Sequence, residues 1–347
     1  MSAPFPIGVF GMPLGPMMAR WSMLGVNHIL ALRPLPDGPP PPSPENYVAG
    51  AMSAGLKVIM GLGGTGNTVE HVSAIHGVVG IIAEDEPDLL THLPKSNGQP
   101  DVEGGIAELE QWAAEVRTKT QLPIFLNLAG PDLTGVKDQI TQGNPRTTAH
   151  YKRFMKPADI VSADWYIANT GRPYSKCRDI IGKAVDRLML WGGGKPVWFC
   201  QETSDQHVHD AGRAPTPDEF KAGVVMALIH GAKGIWYFPY EVGNKRGGKF
   251  KWDATPEPVA QAIMEINAWM QTNADFFLTG NRVMRFDGVK DEATWTLDGG
   301  DTLTVSLEIA TLKISEQRSA APATNTPNRM TLHFPDGDRT FKVTEEQ

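Results

Sequence analysis

Short, continuously apolar runs recur along the first 240 residues of this 347-residue chain, and helical or loop stretches separate them. Apolar residues that are continuous, rather than alternating with polar ones, are typical of parallel strands covered on both faces. The pattern therefore predicts eight buried parallel strands. They are Pro6–Gly11, Val26–Leu32, Lys57–Leu62, Val78–Ala83, Leu122–Leu128, Asp159–Trp165, Lys195–Cys200 and Gly234–Phe238.

The stretches between several of these runs predict amphipathic helices. Between the fourth and fifth runs, apolar residues recur every three or four positions from Ile106 to Val116, which is one stripe of a helix. Before the eighth run, Thr216 and Glu219 form a capping-box pattern around Pro217, which predicts a helix start. Eight strands, each followed by a helix or loop, match the count of a (β/α)8 TIM barrel of about 250 residues. We predict such an α/β barrel over residues 1–275.

From residue 276 onward the pattern changes to short strand-like runs split by turn signals. Thr302–Leu307 alternates polar and apolar positions, which is typical of a strand with one buried face and one wet face. The sequence therefore predicts a small C-terminal antiparallel β domain, sandwich-like, over residues 276–347. We expect it to pack on the barrel as a structural cap, with glycan binding as the alternative.

Charge and composition narrow the range of partners. Lys+Arg number 32 and Asp+Glu 39, so the net charge is −7, which argues against nucleic acid as a partner. No apolar run approaches the ~18 residues of a membrane span, and the N-terminus lacks the pattern of a signal peptide. We therefore expect a soluble chain, cytoplasmic or carried on a phage particle, without a membrane partner. The sequence gives no indication of oligomeric state.

Acidic, amide and aromatic side chains gather where the predicted strands end, which is where a (β/α)8 barrel carries its functional groups. The fourth strand runs into Glu84-Asp85-Glu86-Pro87-Asp88, with four acids in five residues. Carboxylates this close raise the pKa of at least one of them, which suits a general acid. Aromatic faces interleaved with hydrogen-bonding groups are typical of a sugar site. Besides Asp85, we expect the following strand-end residues to bind a sugar: Asn127, Asp164, Tyr166, Gln201, Trp236, Tyr240 and Glu241.

Several segments resemble motifs of the clan A glycoside hydrolases. Asp85-Glu86-Pro87 is similar to the Asn-Glu-Pro motif at the end of their fourth strand, with Asp in place of Asn. Lys195–Phe199 resembles the run into their second catalytic glutamate, and Arg213–Glu219 with Ala227–Ile235 resembles their seventh helix and eighth strand. The resemblance covers roughly residues 6–275. It implies a barrel that cleaves glycosidic bonds of a poly- or oligosaccharide.

The resemblance also implies roles for two glutamates. Glu86, after the fourth strand, would be the acid/base, and Glu202, after the seventh, the nucleophile of a retaining mechanism. Counting along the seventh strand, however, the nucleophile position falls on either Gln201 or Glu202, and neighbours point to opposite sides of an undistorted strand. If Gln201 faces the cleft, Glu241 or Asp164 is the candidate second carboxylate.

Two other functions remain open from the sequence. A non-catalytic carbohydrate-binding barrel, in a phage or surface assembly, is the alternative if an amide occupies the nucleophile position. Gly61–Gly66 matches G-x-G-x-x-G after a strand, as in nicotinamide-dependent oxidoreductases, but its place at the third of eight strands favours the barrel. His207-Val208-His209-Asp210 is a weak metal pattern because no second cluster accompanies it. We therefore predict no cofactor and no metal.

Overall fold

The computed structural model describes residues 3–11, 13–31, 42–62, 68–89, 92–96, 98–129, 147–243, 251–321, 329–334 and 337–342. Eight parallel strands close into a barrel in the order β1-β8-β7-β6-β5-β4-β3-β2. Closure is made where β1 pairs with β8, Ile7 opposite Ile235. The strands are β1 (Ile7–Phe10), β2 (His28–Ala31), β3 (Lys57–Gly61), β4 (Val78–Ile82), β5 (Ile124–Leu128), β6 (Ile160–Asp164), β7 (Val197–Glu202) and β8 (Gly234–Phe238). The eight predicted strands and the barrel are confirmed.

The barrel strands are buried on both faces, as continuous apolar runs require. Inward-pointing residues fill the interior as one apolar cluster, whose larger members include Phe125, Trp198 and Trp236. The alternate residues of the same strands point outward and join a second cluster that they share with the surrounding helices. This alternation fixes which strand-end side chains face the mouth of the barrel.

Helices cover the outside of the barrel. They are α1 (Pro16–Met23), α2 (Pro44–Ser53), α3 (Val69–Ser73), α4 (Val102–Lys119), α5 (Thr148–Met155), α6 (Lys183–Trp191), α7 (Pro217–Ile229), α8 (Glu257–Thr272) and α9 (Ala274–Thr279). The capping box of α7 is present: the Thr216 side chain accepts from the Glu219 N–H, and the Glu219 carboxylate accepts from the Thr216 N–H. Across the described ranges, no helix combines the length and apolar character needed to cross a membrane.

A separate four-stranded antiparallel sheet follows the last helix, which confirms the predicted C-terminal β domain. Its strands are β9 (Asn281–Phe286), β10 (Lys290–Thr296), β11 (Thr302–Glu308) and β12 (Lys313–Ser319), and a hairpin of β13 (Arg329–Phe334) and β14 (Gly337–Lys342) comes after it. Leu303, Val305 and Leu307 of β11 are buried, as the predicted alternation along Thr302–Leu307 requires. The burial alternates along β10 as well, where Asp291, Ala293 and Trp295 are buried. The division of the chain at residue 275/276 stays a prediction.

The sheet packs on the helices of the barrel through apolar and charged contacts. The Trp295 ring lies edge-on to Phe277, with 5.1 Å between centroids. Asp291 is fully buried, and one carboxylate oxygen lies 3.0 Å from Nε of Arg178 and 3.7 Å from Nε2 of His230. A buried carboxylate lowers the stability of a fold strongly unless it is paired with a positively charged group. His230 directly follows the last residue of α7, so this charged contact ties the sheet to the barrel.

Candidate active site

A cavity of about 650 Å³ opens at the carboxyl ends of the barrel strands. Its wall combines apolar side chains with acids, and it includes residues from the ends of β1, β3, β4 and β8. Cavities of this size at this end of a barrel are where enzymes of this fold hold small ligands. Glu84, Asp85 and Pro87 belong to the wall, so the acidic segment after β4 lies at the cavity as predicted.

Glu86 is held in an unfavourable backbone conformation between two of these wall residues. Its φ is +49°, a left-handed value that costs a non-glycine residue about 1–3 kcal/mol. Two contacts hold it there: the Glu86 N–H donates to the Asn127 carbonyl over 3.1 Å, and Nδ1 of His92 lies 3.1 Å from the carbonyl oxygens of both Asp85 and Glu86. Strain that is held by several contacts is common at functional sites.

The carboxyl group of Glu86 is hydrogen-bonded to that of Asp164, the last residue of β6. Burial, followed by the negative charges of Asp164 and Asp85, holds the pKa of Glu86 well above its usual range. Burial also raises the pKa of Asp164, while hydrogen bonds from Tyr166, Glu86 and Asn127 oppose that rise. Burial and mutual repulsion therefore favour one proton shared by this pair of carboxyl groups. A carboxyl group that keeps a proton in the resting state is what general acid catalysis requires.

Asn127 and Tyr166 hold the carboxylates on either side of Glu86. Nδ2 of Asn127 donates to Oδ1 of Asp85 over 3.1 Å, and the Tyr166 hydroxyl donates to Oδ2 of Asp164 over 2.7 Å. Oδ1 of Asn127 is buried without a hydrogen-bond partner among the described residues. The structure thus brings five predicted site residues together at the ends of β4, β5 and β6.

Glu202 is saturated by contacts with the segment that follows β6. Oε1 accepts from the Ala168 N–H at 2.7 Å and the Tyr174 hydroxyl at 2.9 Å. Oε2 accepts from the backbone N–H of Asn169 at 2.9 Å and from its Nδ2 at 2.8 Å. Burial raises the pKa of Glu202, and these four donors oppose that rise. Glu202 is 1% exposed and does not belong to the cavity wall described above.

Gln201 points to the helix side of β7, as the outward-facing Phe199 does. Its Nε2 donates to the Tyr174 hydroxyl over 2.9 Å, and a Cβ built on Gly223 of α7 would lie 2.2 Å from its Oε1. Glycine at 223 therefore makes room for the amide behind the barrel. The sequence left open whether Gln201 or Glu202 faces the cavity. In the structure, neither residue belongs to the cavity wall described above.

The predicted aromatic residues lie at different depths. Trp236 is buried inside the barrel, where its Nε1 donates to Oγ of Ser162 over 2.7 Å. Tyr240 is also buried and packs on Phe238, with 5.2 Å between ring centroids. Trp236 therefore supports the floor of the site from inside the barrel, whereas Phe238 belongs to the cavity wall.

Glu241 lies in a charged cluster built on the loops after β7 and β8. Its carboxylate is 2.6 Å from Nζ of Lys251 and 3.4 Å from Nδ1 of His207, whose Nε2 is 3.3 Å from Asp205. His207 has a φ of +56°. The segment from His207 to Asp210, considered above as a weak metal pattern, thus contributes one histidine to an ion-pair cluster. In the part of the chain that the structure describes, no three His, Cys, Asp or Glu side chains are grouped to hold a metal.

Several cavity residues were missed from the sequence. Phe10 ends β1, whose end was not considered, and Phe238 ends β8, where Trp236, Tyr240 and Glu241 were chosen instead. Trp112 was assigned to the buried stripe of α4, but it is half-buried and belongs to the cavity wall. His92 contacts the backbone at Asp85 and Glu86 from six or seven residues downstream. No sequence signal marks that contact.

The glycine-rich motif begins at the end of β3. Gly61 and Leu62 belong to the cavity wall, and residues 63–67 lie outside the described residues. The helix that follows, α3, has five residues. A dinucleotide site of the fingerprint type needs an open sheet whose first strand feeds a longer helix. The closed barrel does not provide that arrangement.

The barrel has the fold of glycoside hydrolases, as the sequence resemblance predicted. A β-galactosidase from the psychrophilic Marinomonas ef1 matches with a TM-score of 0.55 at 12% identity, over 78% of this chain and 60% of that chain. A GH42 β-galactosidase from G. stearothermophilus matches with a TM-score of 0.55 at 13% identity, over 80% of this chain and 58% of that chain. The chain thus spans about three fifths of each of these proteins. No protein-family model and no curated protein matches the sequence.

Proposed function

We propose that this chain is a glycoside hydrolase in which Glu86 is the general acid. The observation that carries the proposal is the contact between the buried carboxyl groups of Glu86 and Asp164, because it favours a retained proton on this pair beside a cavity at the carboxyl ends of the barrel strands. The fold relatives support a glycosidic bond as the target. Their low identity leaves the sugar and the linkage open.

In this proposal Asp164 is the positioning residue for the proton. Glu86 donates its proton to the glycosidic oxygen as the C–O bond breaks, and Glu86 is then left as a carboxylate beside Asp164. Water then forms the new C–O bond to the anomeric carbon and loses its proton to Glu86. Repulsion between two adjacent carboxylates favours this proton transfer, and the resting state is restored. Tyr166, which donates to Asp164, favours the ionised form of Asp164 against the effect of burial.

We assign Glu202 a structural role instead of the nucleophile role that the resemblance implied. Its two oxygens accept four hydrogen bonds, which hold the segment from Ala168 to Tyr174 against the end of β7. A nucleophile needs an oxygen that can reach the anomeric carbon, and breaking two of these contacts would leave buried donors without acceptors.

The proposal is tested by replacing Glu86 with glutamine and measuring sugar release from a panel of aryl glycosides and polysaccharides. Loss of the general acid lowers kcat by about 10²–10⁴-fold. The melting temperature is unchanged or higher, because the variant removes a carboxyl group from a crowded acidic site. Glu115→Gln, on the exposed face of α4, is the matched control and keeps full activity.

Two outcomes would overturn the proposal. Equal turnover by a folded Glu86→Gln variant would remove Glu86 from the reaction. Glycan binding by the native chain without release of reducing ends would favour the non-catalytic carbohydrate-binding barrel.

A further inference from the structure

Glu86 has a backbone conformation that its own side chain and the next residue both disfavour. Its φ of +49° is strained for a residue other than glycine. Pro87 adds to this cost, because proline restricts the residue before it to extended conformations. A relaxed backbone would also turn the carboxyl group of Glu86 in another direction, since side-chain direction follows the backbone. The orientation of Glu86 therefore depends on contacts that oppose this relaxation.

A turn brings the chain back to Glu86 six residues later. The Glu86 carbonyl accepts from the Leu89 N–H over 2.9 Å, and the His92 N–H donates to the Leu89 carbonyl over 2.9 Å. Nδ1 of His92 then lies 3.1 Å from the carbonyl oxygens of both Asp85 and Glu86. These carbonyls belong to the two peptide groups that flank the Cα atom of Glu86. One nitrogen that contacts both of them restrains φ and ψ of Glu86 together.

The two carbonyl partners determine which nitrogen of His92 carries the proton. Carbonyl oxygens only accept hydrogen bonds, so Nδ1 is the donor. In the neutral imidazole, Nε2 is then an acceptor. His92 is exposed and belongs to the cavity wall. The residue thus combines a donor to the backbone at Glu86 with an acceptor on a ring that lines the cavity.

Resting on the function proposed above, we propose that His92 is a positioning residue that couples substrate binding to the orientation of Glu86. Its Nδ1–H holds the two peptide groups that flank Glu86, and its Nε2 accepts a hydrogen bond from a hydroxyl group of the bound sugar. A hydroxyl group that donates to Nε2 polarises the ring and strengthens the Nδ1–H donor, as in other chains of hydrogen bonds. The general acid is therefore held most firmly when substrate occupies the cavity.

Two amide variants separate the roles of the two ring nitrogens. The amide nitrogen of asparagine is attached to Cγ, as Nδ1 is, so His92→Asn keeps a donor to the backbone and loses the Nε2 acceptor. The amide of glutamine lies one bond further out, as Nε2 does, so His92→Gln keeps an acceptor for the sugar and loses the backbone donor. His92→Leu loses both. His76→Asn, at an exposed position after α3, is the matched control.

The kinetic experiment measures sugar release by each folded variant. Loss of one or two neutral hydrogen bonds amounts to a factor of about ten. We expect His92→Asn to raise KM by about that factor with a nearly native kcat, and His92→Gln to lower kcat by about that factor with a nearly native KM. In His92→Gln the alkaline limb of the pH–rate profile should also move to lower pH, because burial and the charges of Asp164 and Asp85 no longer raise the pKa of Glu86 in full. His92→Leu should show both defects, and His76→Asn neither.

Hydrogen exchange at the Glu86 amide gives a readout that does not depend on turnover. This N–H donates to the Asn127 carbonyl, so its exchange should be faster in His92→Gln and His92→Leu and native in His92→Asn. Native kcat and native exchange in a folded His92→Leu variant, or the same kinetic defect in His92→Asn and His92→Gln, would overturn this inference and leave the hydrolase proposal standing. Absence of hydrolysis for every glycoside would overturn both.

Discussion

Replacing Glu202 with glutamine separates a structural role from a catalytic one. Glutamine keeps one acceptor oxygen, so it can satisfy only one of the two pairs of donors that the carboxylate serves. The new amide group then faces either the Ala168 N–H and Tyr174 hydroxyl or the two donors of Asn169. Two buried donors lose a charged acceptor in either orientation.

The expected loss of stability follows from those two hydrogen bonds. Hydrogen bonds to a charged group contribute about 1.5–3 kcal/mol each, so the free energy of unfolding falls by about 3–6 kcal/mol. The entropy of unfolding near the melting temperature is about 2.1 cal/mol/K per residue, or about 0.7 kcal/mol/K for this chain. The melting temperature should therefore drop by about 4–8 °C.

The assay is thermal unfolding alongside turnover at a temperature where the variant stays folded. We expect lowered stability and a kcat within tenfold of the native value, with Glu115→Gln unchanged in both. Should Glu202→Gln not fold, Tyr174→Phe removes one donor to Glu202 and the acceptor of the Gln201 amide, and it should lower the melting temperature by about 3–6 °C. A native melting temperature combined with loss of turnover would refute this reasoning and restore Glu202 as a catalytic residue.

Two further predictions concern pH. Tyr166→Phe removes a donor from Asp164, so the acidic limb of the pH–rate profile should move up by about 1–2 pH units, and an unmoved limb would disconnect Tyr166 from the proton pair. Burial lowers the pKa of His28 to about 4 in the folded state. As the pH falls from 6.5 to 4, His28 is protonated in the unfolded chain while it stays neutral in the folded chain. About 3 kcal/mol of stability is therefore lost over this range. Urea unfolding should show that loss of stability in the native chain and a smaller loss in His28→Gln. Equal losses in the two chains would contradict the assignment of this pH dependence to His28.

The barrel was predictable from the sequence because its strands are covered on both faces. Runs such as Val78–Ala83 and Gly234–Phe238 carry that burial as uninterrupted apolar character, and the structure confirms each of them. The capping box at Thr216 was also predictable, because it depends only on two residues three positions apart in the sequence. The C-terminal sheet followed from alternation along Thr302–Leu307.

The chemistry of the site was predictable only in part. The acidic segment around Glu86 was found because crowded carboxylates are visible in the sequence. Glu86 shares a proton with Asp164 because the ends of β4 and β6 come close together at the mouth of the barrel. No local sequence pattern encodes the distance between these two strand ends. The hydrogen bonds of Glu202 come from a segment 28 to 34 residues earlier in the chain, so the sequence could not show that its oxygens are already satisfied.

The backbone conformation and the burial of Glu86 affect how variants at this position would respond to selection for heat resistance. Its left-handed backbone and its crowded, desolvated carboxyl group both lower the stability of the fold. Glycine tolerates a φ of +49° without strain and carries no charge. Glu86→Gly therefore relieves both costs at once while it removes the proposed proton donor. On the proposed function, a screen of variants for heat resistance alone would enrich inactive variants at this position, so any such screen has to measure turnover in the same round.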